Sequence, residues 1–358
     1  MIDFIIETLN MVVQGILEVV VGYLWSLASP ILKEHPSILV VLPGLAEDRG
    51  AVYGSLSAKF STMLYLGEAH ALRDLLLNDV VKLSVAYGFM SGLFVVALSA
   101  LVASPLDSLV YFLVSRGLGL IILIPLTAYL TLIAFKKGLN VDLIVVSLIT
   151  VIADLISAVS IFLTFSFIAI PLVAVTIILL ALSIDVLKKK RKKPEYMISV
   201  LIASSISTLA GMVLEGGGAA QNKTLLAVTP LVMALNGSAS MNFASWLGTA
   251  LALGEVDPDK PFNMKLLKTW VRVTSEALIG VSVSTLIFAW GLGWGAILLA
   301  TLSTLTLRII MPLISVVLSS VSFKRGLDPD LVTIPLTSSL NDFVSSSALV
   351  FIAWLLRA

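Results

Sequence analysis

The chain has 358 residues, 58% hydrophobic and 13% charged, with a formal net charge of +1 and a mean hydropathy of +1.06. A water-soluble globule carries about 25% charged residues, so the composition excludes one and predicts an all-α polytopic membrane protein. Long apolar runs without strand alternation favour helices over a barrel. The absence of cysteine excludes disulfides and thiolate metal sites. The two histidines, His35 and His70, fall near predicted helix ends and argue against a histidine-rich zinc site.

Eleven membrane spans are predicted, at about 4–28, 37–66, 77–103, 107–135, 141–167, 168–187, 196–216, 223–253, 266–291, 293–322 and 329–356. The opening residues Met1-Ile2-Asp3-Phe4 lack the basic region and cleavage site of a signal peptide. No stretch is long and polar enough for a soluble domain. The sixth span runs into Lys188-Lys189-Lys190-Arg191-Lys192-Lys193, which should lie in the cytoplasm. Loops holding Arg73, Lys136 and Lys137, Lys260 and Lys265, and Lys324 and Arg325 then fall on the same side. The opposite loops hold only Lys33, Lys223 and Arg357. This predicts a multi-pass protein of the cell membrane, N-terminus cytoplasmic and C-terminus outside. The basic run serves as a topology anchor, not as a lipid or nucleic-acid site.

The sequence repeats internally. Pro43, Gly50, Thr62, Gly67 and Glu68 in the second span match Pro230, Gly237, Thr249, Gly254 and Glu255 in the eighth, each pair 187 residues apart. Gly15 to Glu18 resembles Gly211 to Glu215, and Phe135-Lys136-Lys137-Gly138-Leu139 matches Phe323-Lys324-Arg325-Gly326-Leu327. A shift of 188 puts Asp142 on Asp330 and Asp154 on Asp342. Two five-helix repeats, 1–167 and 195–358, are joined by a linker span and basic loop, 168–194. An odd number of spans per repeat would invert the second copy; the sixth span restores a parallel arrangement. Parallel repeats can be related by a pseudo-twofold axis along the membrane normal, which creates a central seam.

Carboxylates in hydrocarbon are costly and mark function. On the fifth span Ser147, Thr150, Asp154 and Ser157 share one helical face; on the eleventh, Ser338, Asp342 and Ser345 repeat the pattern, with Asn341 alongside. Carboxylate, hydroxyl and amide oxygens are hard ligands. They suit Mg²⁺, which keeps several waters and takes one or two carboxylates, or Mn²⁺ and other divalent ions in its place. Asp154 and Asp342 facing each other across the seam would hold a hydrated ion. The competing expectation is ion pairing inside the membrane, Arg308 with Asp342 and, less well matched in depth, Arg116 with Asp154. Segments 42–50 and 229–237 carry Pro and Gly in mid-span, which predicts broken helices whose carbonyls line the path. There Asn236 offers a further oxygen, and Glu47, Asp48 and Arg49 predict a partly neutralised vestibule. Glu18 and Glu215, toward the outer ends of their spans, are candidates for concentrating cations at an entrance. Arg272 and Glu276, four residues apart, should pair.

Each half resembles the membrane domain of the MgtE family of magnesium channels and transporters, and the tandem form resembles its animal solute-carrier relatives. The resemblance rests on Pro230 through Asn236-Gly237, Thr249 and Gly254-Glu255, and on Asp328-Pro329-Asp330 through Pro335 to Asp342. It covers nearly the whole chain apart from the sixth span. The first half departs at Arg49, where the family has asparagine, and at Ser147, where Pro335 stands in the second. The resemblance implies divalent-cation transport with no enzymatic activity, Mg²⁺ bound in the pore at Asp342 and by extension Asp154, and fused halves that act as a pseudo-dimer, so that a monomer suffices. The family's bacterial members add an acidic cytosolic domain and CBS domains. Neither is read in this sequence. Na⁺- or H⁺-coupled exchange is the alternative within transport. An intramembrane aspartyl protease also needs two membrane aspartates, but its Tyr-Asp and Gly-x-Gly-Asp contexts are absent: Asp154 follows Ala153 and Asp342 follows Asn341.

Overall fold

The computed structural model describes the chain except for residues 1, 50, 51, 54, 138–140, 190–193, 289–290, 326–328 and 357–358. For some helical residues, Asp48, Asp142, Ser147 and Asp330 among them, it describes the backbone alone. Most of the basic run, Gly50 and Asp328 thus lie outside the described residues.

The helices are α1 (Ile2–Leu27), α2 (Ser29–Glu34), α3 (Pro36–Arg49), α4 (Ser55–Tyr65) and α5 (Leu72–Leu76). There follow α6 (Asp79–Ser99), α7 (Pro105–Lys136), α8 (Val141–Leu163), α9 (Ala169–Lys189) and α10 (Pro194–Gly216). The last four are α11 (Lys223–Ala252), α12 (Met264–Phe288), α13 (Trp294–Lys324) and α14 (Pro329–Leu356). Among the described residues the only β-pairing is an isolated bridge between Asp257 and Lys260. Seven helices are long and apolar enough to cross a membrane: α1, α6, α7, α11, α12, α13 and α14. Four shorter apolar segments lie at Pro36–Glu47, Leu148–Leu163, Ala169–Leu182 and Val200–Gly216.

Each expected span falls on a helix, but the second is not one helix. It is α3 and α4, with Val52 and Tyr53 in a π-helical turn between them. Its repeat counterpart, α11, runs without a break through Pro230 and Gly237, contrary to expectation. Proline is tolerated inside a membrane helix when neighbours supply hydrogen bonds, and donors from α11 itself, α13 and α14 reach its carbonyls.

Both counterparts end alike. Gly67 and Gly254 each have φ of 71°, and the following amides close the turn, Glu68 N donating to Met63 O and Glu255 N to Ala250 O, each at 2.8 Å. This is a Schellman stop, which needs a residue free to adopt left-handed backbone. The Gly-Glu repeat is therefore a helix terminator.

The chain forms two compact units, one of Glu34–Ser204 and one of Met1–Lys33 with Ser205–Ala358. In the second, α11 is the hub, packed by α1, α12, α13 and α14. It is 78% buried over its apolar window, against 39–44% for those neighbours. Small residues permit the close approach: Gly22 of α1 lies on the Ala227 carbonyl of α11, and Gly15 on Ser284 of α12. The outer face of α1 carries Ile5, Leu9, Val13, Ile16 and Val20, 41–63% exposed and three or four residues apart. Such a stripe is a liability in water and the proper surface in lipid. The protein is a multi-pass membrane protein.

In the Glu34–Ser204 unit the hub is α7, which packs against α3, α4, α6, α8 and α9. Helix α9, the sixth expected span, packs here against α6 and α7. Gly117 of α7 sits against the Leu172 carbonyl of α9, and Thr176 Oγ1 donates to Leu113 O at 2.9 Å.

A side chain at Gly22 has no room against the α11 backbone. We expect Gly22→Leu to lower stability by about 1–3 kcal/mol, read as a drop in the thermal midpoint of the detergent-purified chain. Gly216→Ala, where nothing lies within 4 Å of the added carbon, should leave the midpoint within about a degree of the parent, since no contact is disturbed.

Candidate functional site

In the unit that contains α11, a polar layer crosses an apolar core. Asn236 Nδ2 donates to Val232 O at 2.8 Å and to Thr304 Oγ1 of α13 at 3.1 Å. Arg308, also on α13, donates through Nη2 to Asn236 O at 2.9 Å and to Ser240 Oγ at 2.7 Å. Asn341 of α14 donates to Met233 O of α11 at 3.0 Å. Val232, Met233 and Asn236 carbonyls thus each receive a side-chain donor, which ties α13 and α14 to this stretch of α11. A Cβ at Gly237 would lie 3.3 Å from Asn341 Nδ2, so the glycine clears space for that amide.

The layer presents oxygens as well as consuming them. Asn236 Oδ1 and Asn341 Oδ1 are buried and have no hydrogen-bond partner. Buried polar atoms are normally satisfied, and an exception calls for a water or an ion. Asp342, half-buried on the same helix as Asn341, accepts from Ser207 Oγ of α10 at 2.9 Å. Ser338 is half-buried one turn before it. The structure thus brings Asn341 onto α11 one turn from Asn236, at the Met233 carbonyl, and turns Asp342 toward α10. Sequence reasoning missed Ser207; its signal was the polar run Ser204, Ser207 and Thr208 at helical spacing in an apolar segment.

Arg308 does not pair with Asp342, as the depth argument had allowed. Equal depth fixes height along the membrane normal but not direction around the helix, and Arg308 points at α11. In the other unit the expectation fails differently. Asp154 pairs with Arg49, Nη2 to Oδ1 at 3.6 Å, and not with Arg116. Arg49 is 5% exposed and also donates to Ser115 Oγ of α7 at 3.5 Å. Arg116 donates to Gly88 O of α6 at 2.8 Å and lies over the Phe112 ring at 5.5 Å. Ser157, one turn beyond Asp154, meets Tyr111 Oη at 2.6 Å. Thr150 lies half-buried one turn before it, and the Asp48 side chain lies outside the described residues.

Glu18 is 1% exposed, so it does not present an open entrance charge; Glu215 is half-buried. The expected Arg272–Glu276 pair forms at 2.9 Å, and Glu7 of α1 joins it at 2.7 Å from Arg272 Nη2. Among the described residues no three His, Asp or Glu side chains converge as a metal site. The oxygens described here are Asp342 with amides and hydroxyls in the unit of α11, and Asp154 with hydroxyls in the other. That set suits an ion that keeps most of its water.

The MgtE family, described as divalent cation transporters, matches residues 42–165 and again 229–352. The chain belongs to the MgtE family. The two matched segments start and end 187 residues apart, the same offset as the repeat, so it is a tandem member of a family of transporters, not enzymes. The first match begins inside α3 and the second inside α11, and neither includes α1, α9 or α10. A curated relative, solute carrier family 41 member 2 of Xenopus laevis, is 28% identical over 178 residues, 45% of this chain and 31% of the relative. The matched part spans about a third of that relative's length. No solved structure matches significantly.

The pairing pattern is open to double-mutant cycles on unfolding free energy. Arg49→Gln with Asp154→Asn should show a coupling of about 1–3 kcal/mol, as direct neighbours do. Arg308→Gln with Asp342→Asn should add within about 0.5 kcal/mol.

Proposed function

We propose that the chain carries Mg²⁺ across the membrane along a central pathway at the pseudo-twofold interface of its two halves. Eleven spans frame it, with the N-terminus cytoplasmic in the cell membrane, and Asp154 and Asp342 bind the ion. Asn341, Asn236, Ser338, Thr150 and Asp48 add oxygens around them. The halves stand in for two subunits, so one chain suffices. Other divalent ions, Mn²⁺ among them, have the same ligand preferences and compete for the site.

The observation that carries this reading is the disposition of charge around Asp342. Arg308 is committed to Asn236 and Ser240, while two unsatisfied amide oxygens lie in the same polar layer. A hydrated divalent cation needs such oxygens beside a carboxylate, and Asp342 lies on the same helix as Asn341. The first half differs. Arg49 stands where the second half has Asn236 and holds Asp154, so the two aspartates serve unequally. Asp342 is the primary site, and Asp154 contributes as Arg49 releases it.

In proteoliposomes, Asp342→Ala should abolish Mg²⁺ flux with the protein still folded, and Asp154→Ala should do the same. Near-normal flux in both single variants would remove the central-site reading. Arg49→Asn makes the first half match the second and should raise the apparent affinity for Mg²⁺ about tenfold, the effect of removing one competing charge interaction of about 1.4 kcal/mol. Acceleration of flux by an imposed Na⁺ or pH gradient would instead select coupled exchange.

A further inference from the structure

A hydroxyl buried in a membrane helix ordinarily donates to a carbonyl one turn back. Thr229, Ser240 and Ser315 do so here, at 2.7, 2.7 and 2.9 Å. Ser207 departs from that habit. It is fully buried on α10, and its Oγ reaches across to α14 to donate to Asp342 Oδ2 at 2.9 Å. Both residues lie in the unit that contains α11.

The neighbouring contacts hold the two ends of this bond in place. Asn341, the residue before Asp342, donates to Met233 O of α11 at 3.0 Å and so fixes the rotation of α14. Successive helical residues point about 100° apart, which carries the Asp342 side chain off α11 and toward α10. The chain of α10 meets α14 again farther along. A Cβ at Gly217, just past the end of α10, would run into the Val350 side chain.

The other half holds its aspartate by different means. Asp154 pairs with Arg49. Aligning Gly15 with Gly211 places Met11 where Ser207 stands, and a thioether has no hydrogen to donate. A guanidinium brings a positive charge to the carboxylate it holds. A hydroxyl orients the carboxylate without adding charge. Helix α10 also lies outside both segments that match the family, so the family pattern does not specify this donor.

We propose that Ser207 is a positioning residue for Asp342, fixing the rotamer of its carboxylate before the cation arrives. A carboxylate left to turn about its side-chain bonds would have to be ordered as the ion binds, at a cost in affinity. Partners of a metal-binding carboxylate that do not touch the metal are worth about ten- to a hundredfold in affinity. The inference rests on the proposed role of Asp342 in Mg²⁺ binding, and adds to it a residue from α10.

The test has two readouts. In proteoliposomes, Ser207→Ala should raise the half-saturating Mg²⁺ concentration about tenfold or more with the maximal flux kept. Ser207→Thr retains the hydroxyl and should stay within about threefold of the parent. Ser347→Ala removes a hydroxyl that donates within α14, to Phe343 O, and should titrate like the parent. The second readout needs no ion. Infrared spectra of the ion-free full chain in detergent, parent minus Asp342→Asn, isolate the Asp342 carboxylate stretch. Ser207→Ala should move that band and Ser207→Thr should keep it. An unmoved band overturns the assignment even if the thermal midpoint falls, because packing alone would lower the midpoint. A parental half-saturating concentration in Ser207→Ala, beside an inactive Asp342→Ala, overturns the positioning role alone. Near-normal flux in Asp342→Ala would instead remove the ion site on which it rests. Should Ser207→Ala fail to fold, Ser207→Cys takes its place: its thiol is a weaker donor and should move the band and the titration in the same directions.

Discussion

Inside a bilayer a polar group has no water to fall back on, and that constraint governs this protein. Each buried guanidinium, amide and carbonyl has to find its partner in another helix. The backbone of α11 is the clearest case. Its carbonyls at Val232, Met233 and Asn236 receive donors from Asn236, Asn341 and Arg308. The same donors tie α13 and α14 to it. Satisfying one helix is thus also what assembles the unit around it.

The two halves meet this constraint from one ancestral pattern and reach different ends. In the second, the layer is closed by an asparagine, a threonine and an arginine turned onto the backbone. In the first, Arg49 and Arg116 stand at the positions of that asparagine and threonine, the corresponding helix is split at Val52 and Tyr53, and the hub passes from that helix to α7. A split helix cannot serve as a rod for four neighbours, so the packing centre moves to the longest unbroken one, the 32 residues of α7. Sequence similarity between repeats has survived while their internal mechanics have diverged.

Much of this was legible in the residues. Apolar runs located the helices to within a few positions, and seven of these are long and apolar enough to cross a membrane. The partner of each arginine was not legible. Depth along the membrane follows from counting residues, but azimuth depends on helix packing, and Arg308 and Asp342 share only the first. The partner of Ser207 was not legible for a related reason: a serine in an apolar helix says that something polar is near without saying what. The unbroken course of α11 was not legible either, since mid-span proline and glycine are compatible with both a broken and a continuous membrane helix.

The placement of α1 bears on how the molecule is made. Its closest backbone contact, Gly22 on Ala227, joins residues 205 positions apart in sequence. At a synthesis rate of about 5–20 residues per second, some 10 to 40 seconds separate the emergence of those two residues from the ribosome. Through that interval the first helix has already entered the lipid, with its glycine face uncovered, while an entire unit is built beyond it. The nascent chain therefore has to keep α1 in reserve and close the unit around α11 by retrieving it.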